Sequence, residues 1–292
     1  MGERRIGLAL SSGGARGAAH VGVLKVLKEN GIEPDVIVGS SMGAEVGGLY
    51  AAGVDLDDLA SLWRSRSFGQ MFKTLLPTIP WSGWSSGGGI TRLLQKLVGS
   101  PRIEDLLPQF VAVATDLQSG LPFPIAQGSL VDAIRASVSV PGLFSPVWID
   151  GHLLIDGGVS NPTPVDVARE LASDVVVAVD VLVDPAEVEF GGIPYLDARQ
   201  RILEFTRRPG SAPRNGHRFH PSVFSVLFQM STVFQKRLSD LRLMTHPPDV
   251  LIRPDFSADP PCYSDVGCGF EAGEEAARAA LPKILRALER SV

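Results

Sequence analysis

Short apolar runs alternate with helix-length amphipathic stretches along most of this chain. Ile6 to Leu10 is a compact apolar run of strand length. Residues Ala18 to about Asn30 carry apolar positions at helical spacing, and Gly31 suits the left-handed turn that closes a helix. Pro34 then precedes a second apolar run, Val36–Val38, followed by a helix-forming stretch to about Ala52. Asp55 is placed to cap a third helix over Leu56 to about Arg64. Further along, Phe110–Thr115 and Pro122–Ala126 predict strands, and Leu130–Val138 predicts a helix. Trp148–Asp150 and Leu153–Ile155 predict a short hairpin around Gly151-His152, with a helix over Val165–Leu171 and a buried strand over Val175–Asp180. Between Leu182 and Pro221 the pattern dissolves into Pro-, Gly- and Arg-rich text, which reads as an insertion because strand text resumes at Val250–Arg253. Ser222 to Met244 regains helical spacing, and Glu271–Arg290 is an amphipathic terminal helix. Strand–helix alternation of this kind predicts a layered α/β fold with a largely parallel sheet.

Composition narrows the classes. The chain has 292 residues, long enough for one large α/β domain or two small ones, and 45% of them are hydrophobic, ample for a sizeable core. A formal charge of −5 and the lack of a long basic run speak against nucleic-acid binding. Cys262 and Cys268 are the only cysteines; they lack clustered partner ligands and read as free thiols, which fits a reducing compartment. The charged N-terminus runs straight into a strand rather than into an apolar signal region. The most apolar long window, Val36 to Val54, contains Glu45 and five glycines, which suits a turn better than a membrane span. The expectation is a soluble, cytoplasmic protein, with peripheral association to the inner face of a membrane left open.

The chemistry concentrates in Gly39-Ser40-Ser41-Met42-Gly43, a G-x-S-x-G turn between a strand and a helix. A serine on such a turn projects its hydroxyl away from the fold, and flanking glycines allow close approach. Ser41 is therefore a candidate acyl-transfer nucleophile, set against the alternative of an ordinary Gly/Ser-rich loop. The loop Gly13-Gly14-Ala15-Arg16-Gly17 offers convergent backbone N–H groups at the start of a helix, suited to an oxyanion. A nucleotide phosphate loop is the rival reading, but the P-loop lysine and the dinucleotide spacing are both missing. For a base, the histidines are His20, His152, His217, His220 and His246, none of them in a motif. A Ser-Asp-His order would use His217, His220 or His246. Asp156, in Leu154-Ile155-Asp156-Gly157-Gly158, is the other candidate, set against a simple turn aspartate.

Taken in order, Ser12-Gly13-Gly14-Ala15-Arg16-Gly17, Gly39-Ser40-Ser41-Met42-Gly43 and Asp156-Gly157-Gly158 resemble the patatin-like phospholipases, most of all bacterial members near the neuropathy-target-esterase branch. Ala136 to Pro146, with Pro141 and Pro146, resembles the segment that precedes the aspartate in that family, and Pro254-Asp255 fits as well. The resemblance is strong over roughly residues 5 to 180 and weak beyond. It implies a single domain over 1–292 with a three-layer α/β/α architecture, in which 182–221 is an irregular insertion. It further implies a serine hydrolase of lipid acyl esters, of phospholipase A or lysophospholipase type, needing no metal and no organic cofactor. Ser41 would be the nucleophile and Asp156 the base, with the amides of Gly13, Gly14, Ala15 and Arg16 forming the oxyanion hole. Gly39, Gly43, Gly157 and Gly158 would complete the motifs. One departure is visible: the family loop commonly opens with three glycines, and Ser12 stands in place of the first.

Phe68, Met71, Phe72, Leu75, Leu76, Ile79, Trp81 and Trp84 crowd a segment broken by Pro77 and Pro80. Such text suits a cover over an acyl pocket or peripheral membrane contact through residues 68–84, set against an ordinary contribution to the core. The implied partner is a lipid or other acyl ester; the sequence carries no signal for oligomeric state. Two other readings use the same residues: an acyltransferase working through acyl-Ser41, and a non-catalytic lipid-binding regulatory protein.

Overall fold

The computed structural model describes residues 4–65, 86–171, 173–184, 223–256 and 266–289. In chain order the strands are β1 (Ile6–Leu10), β2 (Val36–Ser40), β3 (Gln109–Asp116), β4 (Pro122–Ile125), β5 (Val147–Ile149), β6 (His152–Ile155), β7 (Val175–Val179) and β8 (Val250–Ile252). The helices are α1 (Ala18–Glu29), α2 (Met42–Ala51), α3 (Leu56–Ser65), α4 (Gly88–Val98), α5 (Leu130–Ser137), α6 (Val165–Glu170), α7 (Val223–Thr245) and α8 (Val266–Glu289).

One sheet organises these elements, in the order β5-β6-β3-β2-β1-β7-β8, with β4 paired to β3 off that path. The five strands from β3 to β8 along this path run parallel. Their middle members β1, β2 and β7 are buried at every position, which is why they read as unbroken apolar runs rather than as alternating ones. Successive residues still face opposite layers. Leu8, Leu10, Ile37, Phe110, Val175 and Val177 join the cluster built with α1, α2, α3, α5 and α8. Ala9, Val36, Val38, Val111, Val113 and Val176 join a second cluster with α6 and Leu243 of α7. The architecture is thus α/β/α with a mostly parallel central sheet, and both faces are covered by helices.

The antiparallel pairs sit at the β3 edge, and their register matters. Ala112 pairs with Gly39 of β2 on one side and with Ile125 of β4 on the other. Thr115 pairs with Pro122 of β4 and with Ile155 of β6. Since β4 holds one side of β3 throughout, β6 occupies the side that β2 has just left. The two strands therefore approach end to end along one edge of β3, β2 running toward the junction and β6 running toward it from the opposite direction.

Three expectations change. The hairpin turn is Asp150-Gly151, both at positive φ, with Ile149 paired to His152; His152 belongs to the strand. The terminal helix begins at Val266 instead of Glu271. Gly267 and Gly269 disfavour helix locally, but a Cβ on Gly269 would lie 3.1 Å from the Cβ of Ala18, so close packing on α1 overrides propensity. Cys268 is disulfide-bonded, so the free-thiol reading and its compartment argument fall; Cys262 itself lies outside the described residues. Also outside them are residues 66–85, which hold the aromatic segment 68–84, and 185–222, most of the irregular insertion. No described helix is long and apolar enough to cross a membrane.

Contact between α1 and α8 is close enough to exclude side chains. A Cβ on Gly22 would fall 2.2 Å from Phe270 O, and one on Gly273 would fall 2.1 Å from Ala19 O. Both obstacles are backbone, which cannot turn aside. Gly273→Ala is accordingly expected to lower stability by about 1–3 kcal/mol through overpacking, read as a lower urea midpoint with unchanged slope.

Candidate active site

Register arithmetic brings two side chains to one place. Ser40 is the last residue of β2 and pairs with Val113, so the next position, Ser41, comes opposite Ala114. Ile155 is the last residue of β6 and pairs with Thr115 in the opposite direction, so Asp156 also comes opposite Ala114. Both chains must turn away there, and both do so at these residues. Ser41 Oγ donates a hydrogen bond of 2.6 Å to Asp156 Oδ2. No histidine stands between them.

Each turn is built by close packing. A Cβ on Gly39 would lie 2.3 Å from Gly43 O, and one on Gly43 would lie 2.2 Å from Leu10 O, so the strand-to-helix bend folds back on itself and against β1 with no side chain between. Ser41 itself takes φ 52, ψ −118, an unusual conformation for a residue with a Cβ. Strain of this kind costs about 1–3 kcal/mol and persists only where surroundings over-determine it. Ser137, the last residue of α5, is part of that surrounding: its Oγ accepts from Ser41 N at 2.8 Å and donates to Val113 O at 2.6 Å. Val113 sits at the changeover between β2 and β6, so one hydroxyl stitches the gap between the two ladders. On the aspartate side, a Cβ on Gly157 would strike Val113 O at 2.0 Å.

Asp156 is 1% exposed and Ser41 7%. Besides Ser41, Gly158 N donates to the carboxylate Oδ1 at 2.8 Å, and the backbone of Asp156 is anchored on both sides, its N donating to Ser139 O and its O accepting from Thr115 Oγ1. Desolvation pushes the pKa of Asp156 up to about 6, against the opposing pull of the bonds from Ser41 and Gly158. The carboxylate is thus ionised at neutral pH yet basic enough to take a hydroxyl proton.

The Gly13–Arg16 stretch forms a tight helical turn, Gly14–Gly17, leading directly into α1, with Gly14 at φ 58. Early amides of a helical turn lack partners within it and carry its positive end. This turn packs beside the elbow: a Cβ on Gly17 would lie 2.7 Å from Met42 Cβ. Ser12, at its entry, is pinned by Ser12 N to Pro162 O at 2.8 Å and by Ser12 Oγ donating to Gln235 Oε1 at 2.8 Å. All the site residues foreseen in the sequence gather at the ends of β1, β2 and β6. Ser137, Ser139, Thr115 and Gln235 were not foreseen; polar residues at or just beyond a helix end, in a strand or mid-helix carry no local signal for such contacts.

The described histidines stand apart from the pair. His20 is fully buried, with Nε2 bonded to Ser11 O, and burial pulls its pKa down to about 4, so it stays neutral. His152 pairs with Asp116 and lies against the Phe123 ring, centroids 4.7 Å apart. His246 is exposed and bonded to Thr245; His217 and His220 lie outside the described residues.

The sequence model of the family described as patatin-like phospholipase matches residues 8–169, more than half of the chain. An uncharacterized NTE family protein of Mycobacterium tuberculosis is 41% identical over 177 residues, covering 61% of this chain and 49% of that protein. Lysophospholipase nte1 of Aspergillus fumigatus is 38% identical over 183 residues, covering 61% of this chain and 12% of its own length. Patatin-like phospholipase domain-containing protein 7 of Rattus norvegicus is 38% identical over 182 residues, covering 60% and 13%. The chain therefore spans about half the length of the mycobacterial relative and about an eighth of the other two. The crystal structure of VipD from Legionella pneumophila aligns with a TM-score of 0.47 at 15% identity, over 95% of this chain and 67% of that one.

A buried carboxylate whose pKa is raised above its ordinary value costs stability when ionised. That cost is absent below the unfolded-state value near 3.8, grows as pH rises, and is complete above about 6. Asp156→Asn removes it. The variant is expected to gain on the order of 3 kcal/mol at pH 8, seen as a higher melting temperature. That gain should shrink as pH falls through 6 and vanish near 4.

Proposed function

This chain belongs to the patatin-like phospholipase family, and from that premise we propose that it hydrolyses acyl esters of lipids through a Ser41–Asp156 dyad. The observation that carries the proposal is the direct 2.6 Å hydrogen bond from Ser41 Oγ to a buried carboxylate at the tip of the elbow. Relatives named as a lysophospholipase and as a patatin-like phospholipase domain protein support a phospholipid or lysophospholipid as the substrate class.

In the proposed mechanism, Asp156 takes the hydroxyl proton as Ser41 Oγ attacks the ester carbonyl carbon. The negative charge that develops on the carbonyl oxygen is met by backbone donors of the Gly13–Arg16 turn, to which the first amides of α2 add the positive end of a second helix. Collapse breaks the ester bond, and the leaving alcohol takes the proton from Asp156. Acyl-Ser41 remains. A water then attacks the acyl carbon while Asp156 takes its proton, and collapse releases the fatty acid and returns the proton to Ser41 Oγ. An alcohol in place of that water would make the same intermediate a donor for acyl transfer. The proposal treats residues 1–292 as one catalytic domain, needs neither metal nor organic cofactor, and assigns the aromatic segment 68–84 to contact with lipid.

A fluorophosphonate probe should label Ser41 in the folded protein, and Ser41→Ala should abolish both labelling and turnover of short p-nitrophenyl esters and lysophospholipids. Asp156→Ala should lower kcat/KM by at least about 10³-fold. The base must be ionised, so kcat/KM should rise with pH and level off above about 6. A rate independent of pH from 5 to 8 would remove Asp156 from the role of base; an unlabelled Ser41 would remove the whole proposal.

A further inference from the structure

The helix α7 lies outside the segment matched by the family model, yet one of its faces is fastened to the loops of the dyad. Ser231, Gln235, Ser239 and Arg242 fall at helical spacing along that face. Ser239 Oγ meets Thr163 Oγ1 at 2.7 Å, and Arg242 donates to Ser160 O at 3.0 Å and to Asp166 Oδ2 at 2.9 Å. These bonds hold the chain that follows Asp156 against the helix.

Gln235 goes further, because it touches two catalytic loops at once. Its Oε1 accepts from Ser12 Oγ at the entry of the Gly13–Arg16 turn. The same oxygen and the amide carbon abut Gly158: a Cβ placed there would lie 2.8 Å from Oε1, 2.9 Å from Cδ and 2.9 Å from Asp156 Oδ1. Gly158 supplies the N–H that occupies Oδ1 and leaves Oδ2 for Ser41. The amide cannot flip without loss, since Nε2 donates to Ser231 Oγ at 2.9 Å while Oε1 is the acceptor for Ser12. Two tight helical turns, Gly14–Gly17 and Gly157–Val159, are thus spaced by a single planar group held at both its oxygen and its nitrogen.

We infer that Gln235 is a positioning residue that sets the distance between the oxyanion-binding turn and Asp156. Ser12, where the resemblance calls for glycine, is the handle by which Gln235 holds the turn. The inference rests on the dyad reading above. Because it concerns placement of donors toward charge that develops during reaction, loss of Gln235 should appear in kcat and hardly in KM. Misplacing a catalytic group by a fraction of an ångström to an ångström lowers rates by up to about 10²-fold.

The test is a double-mutant cycle on Gln235→Ala and Ser12→Ala, read with a soluble p-nitrophenyl ester at pH 8 and by fluorophosphonate labelling rate. Gln235→Ala is expected to lower kcat roughly 30-fold with KM within about twofold, and Ser12→Ala to lower it in the same sense. Together they should cost no more than Gln235→Ala alone within about threefold, since both remove one link. If Gln235→Ala fails to fold, Gln235→Met fills the same volume without the acceptor and carries the same expectations. A wild-type kcat in the folded Gln235 variant, a change confined to KM, or effects that multiply would each overturn the inference. Wild-type protein that neither labels nor turns over would instead overturn the dyad reading, which separates the two failures.

Discussion

Everything at the centre of this molecule depends on two strands meeting end to end on one edge of β3. A parallel sheet ordinarily presents the C-terminal ends of its strands as a row of loops, and a ligand or a reacting group is assembled from neighbours in that row. Here a second contribution arrives from the opposite direction. β6 runs antiparallel to β3 in the place that β2 vacates, so Ser41 and Asp156, 115 positions apart in sequence, both come opposite Ala114. The spacing leaves no room for an intervening imidazole. A carboxylate delivered in this way is the direct hydrogen-bond partner of the hydroxyl itself.

Such an arrangement puts a carboxylate where water does not reach it. A charge-assisted hydrogen bond contributes roughly 1.5–3 kcal/mol, and Asp156 accepts two, one on each oxygen. Desolvation still wins, since the pKa moves up rather than down. The molecule therefore carries two unfavourable terms side by side, the buried charge and the strained backbone of Ser41. Both are held by the rigid layers around them: the elbow glycines pressed against β1, the Ser137 hydroxyl bridging the ladder changeover, and α7 on the far side. That is the expected position of stored strain in a working site.

Much of this was legible in the sequence because it obeys local rules. β1, β2 and β7 announce themselves as apolar runs, Gly31 ends its helix, and the G-x-S-x-G and Asp-Gly-Gly motifs mark their turns. What the sequence concealed is non-local. Alternation of strands and helices says nothing about β6 entering antiparallel, and Asp-Gly after a short strand reads equally well as an ordinary turn. Ser137 and Gln235 are unremarkable polar residues until the fold sets them against Ser41 and Ser12. The start of α8 was missed for the opposite reason: Gly267 and Gly269 weaken the local helix signal, while the close approach of α1 requires small residues there.

The contact between α1 and α8 has a further consequence, in the order in which a growing chain can complete itself. α1 carries the Gly13–Arg16 turn at its start, and its outer face is covered by a helix that begins more than 240 positions later. A nascent chain emerging from the ribosome can pair β1 with β2 and bring Ser41 to Asp156 while that apolar face of α1 is still bare. Only when residues 266–289 have been made can Gly22 and Gly273 come together and the layer close. Residues 266–289 are thus the segment that fixes α1 in place, and a fold of this build passes through a long vectorial stage in which Ser41 can meet Asp156 before the supporting layer is complete.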